Sequence, residues 1–411
     1  MIINTKSILI ENKFYKKLYI KKENDDIFDF LKSRDKILYS LNEGPKTTKE
    51  LSKDLSLRIR GVRKQLNLLE KNGLITRKKG KPINKKFRYS DTWFLSKNIN
   101  IITKVPKGHI CICCRTEHGG KTYKNHFLIL PSAINVNNEL IFSIGFFIAE
   151  GSKSKSKTIE ITNNEPNLIS FFIKTISSFY VNSTGWRWRI VFNRKLKNVF
   201  SSEELKNLEN LSRNFWIYEC NLSKDNFVSF QYSGQKIGKL RKNTSIWGTL
   251  TLNYNNFLLT WFLFQLFRYI KKLILTEKKF IIEYLKGYLT GEAYVGSHDR
   301  EIQFASTSVE ELKFAQTCLN RLGIKSSLCK ATVTSPPRVI ITDLKSFLMV
   351  DKFDIFEYHF YKKRALLQKI LKYKILDPNI KEEIKREFEF VNSKILSRET
   401  NFRGFISKIS A

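Results

Sequence analysis

A chain of 411 residues with 73 Lys and Arg against 38 Asp and Glu carries a net charge of +35. An excess of that size repels itself unless a polyanion shares the surface, which makes nucleic acid the favoured partner. The longest apolar run, Phe257 to Ile270, is broken by Gln265 and Arg268 and falls short of the ~20 residues that span a bilayer. With Asn4, Lys6 and Glu11 breaking any signal-peptide block and six cysteines lacking a spaced framework, the expectation is a soluble, cytoplasmic protein without a membrane partner.

Residues 1 to about 26 are polar and basic with scattered aromatics, and no element is assigned to them. From Ile27 a helical pattern runs to about Leu41, where Gly44-Pro45 breaks it. Thr47 with Glu50 three residues on is a capping box that opens a second helix. In a third helix Ile59, Val62, Leu66 and Leu69 form an apolar stripe, while Arg60, Arg63, Lys64, Asn67 and Lys71 occupy the opposite face. That helix stops at Asn72-Gly73, and a basic tongue comes next, Arg77-Lys78-Lys79-Gly80-Lys81, returning through Phe87-Arg88-Tyr89. Three helices and a basic hairpin over 27–95 resemble a winged helix-turn-helix, with the third helix placed for the major groove and the tongue against phosphate. A trihelical interaction module with a solvated basic face is the competing reading, and cations on both helix and tongue favour DNA.

Residues 96–134 read as a connector containing His109, Cys111, Cys113, Cys114, His118 and His126. Zinc is one reading of this group. Against it, Cys-x-Cys-Cys lacks the Cys-x-x-Cys spacing of zinc knuckles, and thiols also serve as small buried apolar residues.

Two stretches then carry one pattern. Ser143-Ile144-Gly145-Phe146-Phe147-Ile148-Ala149-Glu150-Gly151 and Leu285-Lys286-Gly287-Tyr288-Leu289-Thr290-Gly291-Glu292-Ala293 are each an apolar run with small residues four apart and a closing carboxylate. Small residues at that spacing let helix backbones approach closely, so the copies can pack together and bring Glu150 beside Glu292. Two carboxylates at helix C-termini, where the dipole is already negative, call for a cation. The segments downstream of the two acids also correspond: strand Thr158–Thr162 and a helix from about Pro166 in one copy, strand Glu301–Ala305 and a helix from about Val309 in the other.

These paired segments resemble the motifs of LAGLIDADG homing endonucleases. The third-position Gly and eighth-position acid stand in both copies; Ile148 and Thr290 replace the usual first acid, and Ala293 the closing Gly. The resemblance implies an α+β fold: tandem αββαββα repeats, 135–275 and 276–373, in one pseudo-twofold, monomeric domain. The winged helix precedes it, and a helix and tail at 374–411 come after it. It further implies a Mg2+ (or Mn2+) ion anchored by Glu150 and by Glu292 for hydrolysis of double-stranded DNA at a specific site. A basic residue near each centre is implied too: Lys362 or Lys363 for the second, Lys236 or Lys239 for the first. Alternating stretches such as Trp186–Ile190, Val228–Ser233 and Thr249–Asn253 would be strands of curved sheets that straddle the major groove, with Arg187, Arg189, Gln231 and Gln303 as base readers. Two other functions stand beside the nuclease: a transcription regulator on the same fold without catalysis, and an intron maturase with RNA as its partner.

Overall fold

The computed structural model describes residues 2–10, 18–80, 90–96, 102–118, 122–151, 158–178, 180, 186–234, 245–296, 301–333 and 335–410. The chain divides into two compact units, one of Ile3–Ile134 with Tyr180–Asn182 and one of Asn135–Phe179 and Ser183–Ala411 with Met1–Ile2.

In the first unit, β1 (Ile2–Asn4), α1 (Thr5–Ile10) and β2 (Leu18–Lys21) come before α2 (Ser33–Asn42). Residues 28–30 form only a short 3-10 turn, so the helix expected from Ile27 begins later. Then come β3 (Lys46–Thr47), α3 (Thr48–Asp54), α4 (Ile59–Lys71), β4 (Ile75–Lys78) and β5 (Thr92–Leu95). The Thr47–Glu50 capping box closes in both directions. Ile37, Leu38, Leu41, Leu51, Val62, Leu66, Leu69, Ile75 and Trp93 make one small core. Ile59 departs from the expected stripe: as the first residue of α4 it is 46% exposed, since the helix has no preceding turn there to pack over it. β5 lies between β3 and β4, which gives the fold its hairpin, while 81–89, including Phe87-Arg88-Tyr89, lie outside the described residues.

The stretch expected as a connector is instead sheet. β6 (His109–His118) and β7 (Thr122–Pro131) pair antiparallel along their whole length, β2 joins the outer side of β6, and β8 (Ala133–Asn135) pairs with β1. Cys111 and Cys113, two residues apart, point to one face and are buried with Ile27, Phe30, Val105 and Ile129, their sulfurs 3.3 Å apart. The neighbouring thiol and burial raise Cys111 far above its ordinary range. Cys111, Cys113 and Cys114 are all buried, as small apolar residues of the core would be; among the described residues no cluster of three or more His, Cys, Asp or Glu is arranged to hold a metal.

The second unit is built on two helices, α5 (Asn138–Glu150) and α10 (Lys278–Glu292), each leading into a similar series of elements. After α5 come β9 (Ile159–Asn163), α6 (Pro166–Ser178), β10 (Arg187–Asn193), α7 (Leu196–Val199), α8 (Ser202–Cys220), β11 (Phe227–Ser233), β12 (Thr249–Tyr254) and α9 (Phe257–Ile274). After α10 come β13 (Ala293–Val295), β14 (Ile302–Ala305), α11 (Val309–Arg321), β15 (Ser327–Cys329), β16 (Arg338–Ile341), α12 (Leu344–Lys352) and α13 (Phe360–Leu371). The apolar run from Phe257 is the mostly buried α9, and no helix among the described residues is long and apolar enough to cross a membrane. The fold is α+β.

The sheets run β11-β10-β12-β9 and β13-β14-β16-β15. Matching β9 with β14, β12 with β16 and β10 with β15 superposes their connectivity; β11 is then left over at one edge of the first sheet and β13 at the opposite edge of the second, and residues 152–157, ahead of β9, lie outside the described residues. Core faces carry Ile161, Trp188, Ile190, Leu250 and Leu252 in one sheet and Ile302, Phe304, Val339 and Ile341 in the other, all buried.

α14 (Pro378–Glu399) contacts both repeats, and α15 (Arg403–Ser410) follows it, with Phe405 packed edge-on to Phe200. Glu387 reaches Lys363 at 2.8 Å, Tyr361 donates to Glu399 at 2.9 Å, and Arg398 pairs with the buried Glu165 at the start of α6. Beyond them Phe402 packs edge-on to Phe215 and against Trp247.

Candidate active site

The close approach of α5 and α10 rests on absent side chains. A Cβ on Gly287 would lie 2.1 Å from the Phe142 carbonyl oxygen, and one on Gly145 would lie 2.5 Å from that of Tyr284. Nearer the C-terminal ends, a Cβ on Gly291 would meet Ala149 Cβ at 2.5 Å and Glu150 Cγ at 2.9 Å. The helices therefore touch backbone to backbone along the pattern of small residues, and the side chain of Glu150 lies against the residue preceding Glu292. Each acid is the last residue of its helix and is half-buried.

Near both stands Lys362. Its Nζ donates to the Gly291 carbonyl at 3.0 Å and to that of Thr290, two of the carbonyls left without partners at the end of α10. It also feels both Glu150 and Glu292. Burial pushes the Lys362 ammonium down from its usual range, opposed by the two carboxylates. Burial likewise pushes Glu150 up, opposed by Lys362 and by Asn163, whose amide donates to Oε1 at 3.1 Å. Asn163 is itself locked, because its Oδ1 accepts the Glu165 N–H at 2.9 Å where α6 begins. Lys362 is placed by His359, the N-cap of α13, whose Nδ1 accepts the Lys362 N–H. Burial, with the nearby Lys362 charge, holds His359 well below its ordinary value, so the ring stays neutral and able to accept.

Lys363 goes elsewhere. One residue along a helix turns the side chain by about 100°, and the Lys363 ammonium sits on Asp351 at 2.9 Å, Asp354 at 2.8 Å and Glu387 at 2.8 Å. Lys236 and Lys239 lie outside the described residues. Beside Glu292 opens a cavity of about 530 Å3 lined by Arg268, Lys271, Ser306, Ser308 and Glu311 among others.

The acids and the helix-end carbonyls are the hard donors that divalent Mg2+ or Mn2+ takes, and a cation, the Lys362 ammonium, already rests on two of these carbonyls. One ammonium against two carboxylates leaves negative charge over, so the residues present fit a divalent ion. Asn163 and His359 carry no signal in the sequence: an Asn at the end of a strand and a His before a basic helix have no distinguishing spacing.

On the first sheet, register places Glu160, Thr162, Arg187, Arg189, Thr251, Asn253 and Gln231 on the face away from the core. Arg187 and Gln231 are exposed, whereas Arg189 is half-buried and leans toward Glu160 at 3.6 Å. Gln303 shares its face with Tyr294 and Ile340. In the first unit Arg60, Arg63, Lys64, Lys78 and Lys79 are exposed, as is Asn67. Arg77, although exposed, pairs with Glu70 at 3.2 Å and stacks over Trp93.

Comparison with known proteins agrees with both halves of this description. Residues 279–350 match the LAGLIDADG-like domain, and residues 32–77 match the bacterial regulatory proteins of the arsR family. The first match falls on the second repeat and the second on the helices and hairpin of the first unit. Among solved structures it is similar to I-DmoI in complex with DNA and Mn, at 13% identity and a TM-score of 0.27 over 54% of this chain and 98% of that one. It is also similar to full-length DUF199/WhiA from Thermatoga maritima, at 9% identity and a TM-score of 0.30 over 64% of this chain and 69% of that one. The N-terminal LAGLIDADG domain of DUF199/WhiA gives 11% and 0.28 over 61% and 88%. No curated protein matches the chain.

Proposed function

We propose that this protein is a site-specific endonuclease of double-stranded DNA, a homing-type hydrolase acting as a monomer through its internal pseudo-twofold. The observation that carries the reading is the convergence of Glu150, Glu292 and the Lys362 ammonium at the ends of two helices packed backbone to backbone. Glu150 and Glu292 would hold Mg2+ or Mn2+ together with carbonyl oxygens of the helix ends. When bound, such an ion neutralises phosphate charge and eases deprotonation of water. Lys362 would give a proton or a hydrogen bond to an oxygen of the scissile phosphate, its lowered affinity for protons matching that task. Asn163 keeps Glu150 aimed. The exposed cations of α4 and the tongue would hold phosphates, and the outward sheet faces would read base edges.

One observation favours a second reading, a DNA-binding regulator without catalysis: Lys362 already supplies a cation to both carboxylates, so the pair is balanced in part without metal. Cleavage separates the two. On a duplex selected for tight binding, the wild type should cut with Mg2+ or Mn2+, and Glu150→Gln or Glu292→Gln should lower the rate by several orders of magnitude while binding without metal survives. A selected, tightly bound site left uncut by the wild type under both metals establishes the regulator instead.

A further inference from the structure

The two repeats are unequal where they would meet DNA. In the second, β15 ends the sheet and the chain passes from Cys329 to Arg338 directly into β16. In the first, the chain leaves β10, forms α7 and α8, and returns as β11 parallel to β10 before reaching β12. β11 thus occupies the edge that β15 leaves uncovered. The addition is well built: Trp188 Nε1 donates to the Ser223 carbonyl at 2.9 Å just ahead of β11, Tyr232 donates to Glu209 of α8 at 3.0 Å, and Phe230 stacks on Phe192 at 6.1 Å.

Its outward face is polar. Gln231 lies opposite Val191 and Ser233 opposite Asn193, on the face that carries Arg187 and Arg189, and both Gln231 and Ser233 are exposed. A register shift between Trp188 and Ile190 turns Val228, 59% exposed, toward solvent as well. At the same end of the sheet Arg194, Lys195 and Lys197 come directly after β10, with Arg194 N–H bonded to the Ser233 carbonyl at 2.8 Å. Hydrogen-bonding side chains flanked by three cations in four residues complement bases flanked by phosphates.

We infer that β11 is an added base-reading strand, so that the target is asymmetric and the half-site under the first repeat is the longer one. This rests on the reading that the sheets face duplex DNA, and is independent of cleavage. One strand widens a sheet by about 4.8 Å, and base pairs rise about 3.4 Å, so the extension amounts to one or two base pairs. Gln231 is suited to bidentate contact with adenine.

Binding selection on a randomised duplex library, without cleavage metal and with the full chain, tests this. The wild type should show unequal half-sites. Gln231→Ala should flatten preference at one or two positions at the outer end of the longer half, a loss of about tenfold per position, and Gln231→Arg should move preference there toward guanine. Equal half-sites, or wild-type profiles retained by both variants, overturn the assignment of β11 while leaving DNA recognition intact. Absence of any sequence-selective binding by the wild type overturns both. Because Gln231 is exposed, an unchanged melting temperature in both variants keeps any altered profile attributable to reading.

Discussion

Gly287→Ala adds one methyl group to the tightest point between α5 and α10. The new Cβ would stand 2.1 Å from the Phe142 oxygen, 2.7 Å from the Phe146 nitrogen and 3.0 Å from the Phe142 carbonyl carbon, all backbone atoms that no rotamer can move. Restoring the 3.4 Å of ordinary contact requires the helices to part by about 1.3 Å. Overpacking of this kind costs about 1–3 kcal/mol, and a rigid backbone partner puts it at the upper end. The better helix propensity of Ala returns about 1 kcal/mol, leaving a net loss of about 2 kcal/mol. In a unit of this size that lowers the melting temperature by about 4–8 °C, readable by circular dichroism or calorimetry. Gly61→Ala is the counterpart, since its Cβ meets nothing within 4 Å on the exposed side of α4 and should cost no stability. If Gly287→Ala and Gly145→Ala both melt with the wild type, the two helices do not pack as described.

Three further outcomes are expected at the site and its surroundings. Lys362→Met removes the charge that opposes the burial shift on Glu150, so the carboxyl should rise further and the acidic limb of divalent-ion binding should move to higher pH; a limb that stays in place shows the two groups are not coupled. Lys363→Met strands three carboxylates and should destabilise the unit by roughly 3 kcal/mol in urea unfolding, while the rate per folded molecule stays near wild type. A matching fall in that rate would place Lys363 in the chemistry. Arg63→Ala with Lys64→Ala should shallow the slope of log affinity against log salt by about 0.9 for each phosphate the protein ceases to neutralise, measured by fluorescence anisotropy, and an unchanged slope would remove α4 from the interface.

Much of the second unit was legible because its signals are local. Both acids end their helices, and the helices expected near Pro166 and Val309 begin at those residues. Gly145, Gly287 and Gly291 meet the opposing helix as their spacing implied. The features that escaped were long-range or directional. Strand character was readable at Trp186–Ile190 and Val228–Ser233, yet nothing in an alternating pattern reveals that β10 and β11 run parallel across two intervening helices. The pairing of Leu18–Lys21 with Cys111–Cys114 joins segments too far apart for periodicity to connect. Lys362 and Lys363 are chemically equivalent neighbours in sequence; only the N-cap at His359 and the course of α13 send one ammonium to the acids and the other to Asp351.

The helix that contacts both repeats bears on how such a scaffold can be recombined. Repeats related by a pseudo-twofold invite exchange of one half for another of different specificity, with the seam drawn between α9 and α10. In this chain the seam does not end there. Glu165 of the first half is buried and receives its countercharge from Arg398, which belongs to the segment after the second half. Lys363 in turn draws on Glu387 of the same segment. A chimera that replaces the second repeat therefore has to carry residues 378–399 along with the first, or leave a carboxylate without its partner in the protein interior, a deficit of several kcal/mol that no improvement at the new half-site would offset.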